Sequence, residues 1–121
     1  MRYMLLIYGN EAARAAMTEA ERSADMPQWI QYTNDLQQAG VLRGGDALHF
    51  TTAATTVRGP GSSAIVTDGP FAETKEALGG YYLIDTPSLD EAIEWAKKCP
   101  GAAYGAVEVR PLMDMPVPEG Q

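Results

Sequence analysis

The sequence predicts an α+β fold of the split βαβ, ferredoxin-like kind: an antiparallel sheet with two main helices on one face and an inserted β-hairpin. Three observations predict it. Two strand-length runs, Arg2–Tyr8 and Gly80–Thr86, are apolar on both faces. Each opens a strand–helix–strand unit, the first closing near Leu48 and the second near Leu112. Between the units, Thr51–Thr67 is rich in β-branched residues and is broken by Gly59-Pro60-Gly61.

The elements follow in order. In Arg2–Tyr8, Tyr3, Leu5 and Ile7 alternate with Met4, Leu6 and Tyr8, so the strand belongs at the centre of the sheet, covered on both sides. The polar segment Glu11–Ser23 holds a capping-box spacing at Thr18 and Glu21, and reads as a short helix or a lead-in. A firmer helix start falls at Asp25, with Pro27 and Gln28 in its first turn; Met26, Trp29, Ile30, Thr33 and Leu36 then recur at helical steps, and Gly40 ends the run. Val41–Leu48 reads as a strand in which Gly44-Gly45 marks a weak point or a bulge. Thr51–Arg58 and Ala64–Thr67 form the inserted hairpin. Gly80–Thr86 is the second central strand. Ser88-Leu89-Asp90-Glu91 caps a helix that runs to Lys97-Lys98 and stops at Pro100-Gly101. Gly105–Leu112 is the last strand, and 113–121 is an irregular tail.

Length fits one domain spanning residues 1–121. Hydrophobic residues make up 45% and charged residues 21%, which excludes a disordered chain and supports a core without staples. A net charge of −7 argues against nucleic acid and anionic membranes as partners, since both demand a basic footprint. The lone cysteine, Cys99, leaves no internal disulfide to form, so a reducing, cytoplasmic setting is expected. Helices on one face of the sheet leave the other apolar face bare, more than a soluble monomer tolerates. A homodimer built through the sheets is therefore expected.

Candidate chemistry centres on Asp68. Held in a turn by Gly69 and Pro70, its carboxylate could face a cleft; the bland alternative is an Asx turn capping its own loop. Glu73 and Lys75, with Glu76, could line the same cleft, or form a solvated charged loop. His49 is the residue type suited to general-base work, but names no partner, and no cluster has metal-ligand spacing. Arg43 could reach an acidic ligand, as could Arg110. Tyr82, with Tyr81, Trp29 and Trp95, could wall a planar ligand, though core and interface are the commoner use of such spacing. Cys99 lies at a helix C-terminus, which disfavours a thiolate and points to packing. The paired glycines lack a phosphate-loop context, so no cofactor is expected.

The run TDGPFAETKEALGGYYLID, Thr67–Asp85, resembles the DGPF type within the YCII-related family; Asp68, Gly69, Pro70 and Phe71 carry the four letters. The similarity continues through Ser88–Ala92, Trp95-Ala96, Cys99-Pro100 and Val107–Pro111, and upstream through RYMLLIYG and Leu36–Leu48. The resemblance implies a ferredoxin-like fold assembled as a dimeric α/β barrel. Members are often encoded beside extracytoplasmic-function sigma factors, and most have no established activity. Some YCII-like relatives use a His–Asp pair near the first helix, one of them a dehydrochlorinase. Counting back from Gly40, that helix position holds Trp29, and an indole is no general base. Their mechanism is not carried over. Two functions remain: small-molecule binding with acid–base chemistry at Asp68, helped by Glu73, His49 or a tyrosine, or a non-catalytic accessory role with an acidic surface for a basic partner such as a sigma-factor region.

Overall fold

The computed structural model describes residues 1–115. Alternation in β1 (Arg2–Gly9) turns Tyr3, Leu5 and Ile7 to one side of the sheet and Met4, Leu6 and Tyr8 to the other. Two short-range helices follow, α1 (Glu11–Ala15) and α2 (Glu19–Gln38), then β2 (Leu42–Ala47), the hairpin strands β3 (Thr55–Arg58) and β4 (Ile65–Asp68), β5 (Ala77–Asp85), α3 (Leu89–Lys98) and β6 (Ala106–Pro111). The main sheet has four strands in the order β2-β5-β1-β6, every pairing antiparallel. This is the strand order of the expected ferredoxin-like fold, with the two strongest apolar runs, β1 and β5, in the middle.

Helix α2 begins earlier than Asp25. The box at Thr18 and Glu21 closes in both directions: Thr18 Oγ1 accepts the Glu21 N–H at 3.1 Å, and Glu21 Oε1 accepts the Thr18 N–H at 3.0 Å. Pro27 therefore lies inside the helix, not in its first turn. Asp25 has other work: its carboxylate accepts from the Trp29 indole at 3.0 Å and from the Tyr104 hydroxyl at 2.7 Å. Gly40 leaves the helix at φ +74°, a conformation open to glycine at little cost. Ser88 caps α3 by accepting the Glu91 N–H at 3.3 Å.

The core lies between the sheet and the helices. Tyr3, Leu5 and Ile84 from the sheet meet Tyr32 and Leu36 of α2, Ala92 and Ala96 of α3, and Cys99, all buried. Tyr32 packs edge-on against Tyr82 and Trp95, and donates its hydroxyl to the Trp95 carbonyl at 2.7 Å. The β2–β5 ladder slips between Leu42 and Gly44, the bulge that the paired glycines suggested. On the opposite side of the sheet, Met4, Leu6, Tyr8, Tyr81 and Leu83 are only half-buried, with none of the described helices over them.

The hairpin stands apart. β3 and β4 form a two-stranded sheet of their own, and Val57, Ile65 and Val66 are 60–68% exposed. Residues 113–115 have no regular structure, and the rest of the expected irregular tail lies outside the described residues.

Candidate functional site

Where β1 ends, the chain turns at Asn10, whose side chain accepts the Ala13 N–H at 3.0 Å and so starts α1. That cap places Glu11 in the first turn. Its carboxylate is held on the segment before β3: Oε1 accepts the Thr51 N–H at 2.8 Å and Oε2 accepts the Thr51 hydroxyl at 2.6 Å. The Asp-Gly-Pro turn then brings a third wall. Gly69 takes φ +101°, its N–H donates to the Ala54 carbonyl at 2.7 Å, and its own carbonyl accepts the Thr56 hydroxyl at 2.8 Å.

These walls enclose a surface cleft of about 540 Å³, lined by Glu11, Thr51, Gly69, Pro70, Glu73 and Lys75 among others. Two carboxylates and an ammonium thus share one concavity with the turn. A comparable hollow of about 530 Å³ lies over α2 and the end of α3, lined by Gln28, Gln31, Asp35 and Lys98, and contains none of the candidate residues.

The sequence-derived candidates divide. Glu73 and Lys75 line the first cleft, and Asp68 is the residue immediately before its wall. Asp68 itself ends β4 opposite Thr55, exposed, and its carboxylate makes no hydrogen bond among the described residues. The Asx turn, in which that carboxylate would cap its own loop, is not formed among the described residues. His49 is exposed between β2 and Thr51 and does not line the cleft. Arg43 curls back, donating to the Gly40 and Leu42 carbonyls and lying 3.9 Å from Asp85. Tyr82 faces the helices, its hydroxyl 2.8 Å from that of Thr33, and burial pushes its phenol up. Arg43, His49 and Tyr82 are therefore not gathered at this cleft.

Cys99 caps α3 and is buried, and burial pushes its thiol up, so it packs rather than attacks. Trp29 is bonded to Asp25 one turn away and packs against the core, a structural role at the position where a histidine would have been sought. Among the described residues no group of three or more His, Cys, Asp or Glu is placed to hold a metal ion, and no helix is long and apolar enough to cross a membrane.

Glu11 and Thr51 escaped the sequence reading. The signal was present in Asn10-Glu11, a capping residue and a first-turn acid directly after an apolar strand. Nothing local, however, says that Thr51 folds back on them.

The model of the YCII-related domain family matches residues 1–116. An uncharacterised protein of Rhizobium meliloti (strain 1021) is 42% identical over 114 residues, which cover 93% of this chain and 92% of that protein.

Proposed function

The chain belongs to the YCII-related family, and we propose that it is a cytoplasmic homodimer binding a small polar molecule in the cleft beside Asp68. The observation that carries this reading is the convergence of α1, the Thr51 turn and the Asp-Gly-Pro segment on one concavity, with Glu11 locked in place by Thr51. Carboxylates at Glu11, Glu73 and Asp68 offer acid–base groups, and Lys75 offers a cation for an anionic part of the ligand. Second-copy packing on the open face of the sheet would cover Met4, Leu6 and Leu83 and give the barrel-like dimer expected from the two-sided strands. A single free cysteine suits a reducing compartment.

A thermal-shift screen against a metabolite panel tests the cleft. A true ligand raises Tm for the wild type and loses that effect in Lys75→Ala and Glu73→Gln. Hits that stabilise those variants as well as the wild type sink the reading.

A second reading, a non-catalytic accessory protein, is favoured by one specific observation. Asp68 is exposed and has no side-chain partner among the described residues, on a hairpin whose Val57 and Val66 are bare. With a net charge of −7, a basic protein surface such as a region of an extracytoplasmic-function sigma factor would suit it. Titration calorimetry with that purified factor decides: salt-sensitive binding lost on Val66→Lys supports it, and no binding at low salt removes it.

A further inference from the structure

Cross-strand register sorts the charges of the open sheet face into rows. One row runs Asp46, Tyr81, Leu6, Glu108 across β2, β5, β1 and β6. The next runs Gly44, Leu83, Met4, Arg110. Beyond it Arg2 pairs with Asp85 in the ladder, and Arg43 lies 3.9 Å from the Asp85 carboxylate. The paired strands of this face thus have an acidic row, an apolar middle and a basic end in which Arg2, Arg43 and Arg110 stand with Asp85. The acids of the first row hold tyrosines rather than cations: Tyr81 donates to Asp46 at 2.9 Å, and Tyr8 to Glu108 at 3.1 Å. Among the described residues Asp46, Glu108 and Arg110 form no ion pair.

Resting on the homodimer reading above, we infer that two copies pack open face to open face about a two-fold axis running across the strands, so that Glu108 of each copy meets the partner's Arg110. The two simple axis directions have opposite electrostatic outcomes. An axis across the strands reverses strand direction between the copies and lays the acidic row of one over the basic end of the other. On β6 this sets Glu108 over the partner's Arg110, and on β2 it sets Asp46 beside the partner's Arg43. An axis along the strands instead lays β6 over the partner's β2, and Glu108 then faces the partner's Asp46. The first arrangement is attractive at both edges of the sheet, the second repulsive. Met4, Leu6 and Leu83 lie on the two central strands and are covered in either arrangement, so they do not choose between them. Charge does, because closing two faces excludes water and strengthens both attraction and repulsion. The contact is isologous, so every pair occurs twice.

The dimer dissociation constant, from sedimentation velocity over a concentration series, tests the axis by its sign. Glu108→Arg and Arg110→Glu each weaken the dimer, by roughly 10–100-fold, and the double variant restores it. Asp46→Arg, on the other edge strand, also weakens it. All three residues are exposed in the protomer, so circular dichroism should show an unchanged fold. Tightening by Glu108→Arg or Asp46→Arg, or a double variant no better than the singles, overturns the inference while leaving the homodimer itself standing. A monomeric wild type removes both.

Discussion

Glu11 holds Thr51 at both ends of one residue: a carboxylate oxygen takes the backbone N–H at 2.8 Å and the other takes the hydroxyl at 2.6 Å. Residues forty positions apart are joined by two charge-assisted bonds that tie two walls of the cleft together. Glu11→Ala leaves the half-buried Thr51 donors without their acceptor and should lower stability by about 1.5–3 kcal/mol. Urea denaturation measures the loss. A change within error would mean that solvent replaces the carboxylate at no cost.

Asp68→Asn should keep the wild-type fold and Tm, since the exposed carboxylate makes no hydrogen bond among the described residues. If Asp68 takes part in binding, ligand-induced stabilisation disappears in the same variant. An identified ligand that shifts the variant as much as the wild type would strip Asp68 of its role.

Phe71 closes the Asp-Gly-Pro-Phe run, yet the ring is 77% exposed. Phe71→Ala should therefore alter unfolding free energy by no more than about 0.5 kcal/mol, far below the cost of truncating a buried ring. A loss of several kcal/mol would place that ring under cover in solution, as an interface would.

Thr18→Ala removes the hydroxyl half of the α2 capping box and should cost about 1 kcal/mol. The other half titrates. The Thr18 backbone N–H, and then its hydroxyl, hold the Glu21 carboxyl below the usual glutamate range. A depressed folded value means that this contribution is present above the unfolded carboxyl's value and fades as pH falls through the folded one. Glu21→Gln should accordingly flatten the acid limb of the stability curve and leave its neutral region parallel to the wild type.

The Cys99 thiol is buried and pushed up, so alkylation by iodoacetamide at neutral pH should be slow in the native protein and fast in denaturant. Rapid native labelling would contradict the packing at the end of α3.

The sheet was legible because β1 from Tyr3 to Tyr8 and β5 from Tyr81 to Ile84 carry apolar or aromatic residues on both faces, as a central strand does, and α3 because Ser88 and Pro100 bracket it. Helix α2 was misjudged at its start, since Pro27 is at home in a first turn and only the geometry shows the Thr18 box already closed. At the site, the charged run after the Asp-Gly-Pro turn pointed to Glu73 and Lys75. Glu11 and Thr51 stayed hidden because their link is a tertiary one, between two segments that each look like ordinary connectors. Tyr82 was misplaced for a related reason: a strand apolar on both faces does not say which side carries the helices.

The β3–β4 ribbon shares no ladder with the main sheet. The exposed side chains of Val57, Ile65 and Val66 consequently bear little of the interior's burden, and substitutions at these three positions leave the core as it is. The ribbon's exposed side can thus be rewritten while the scaffold beneath stays constant.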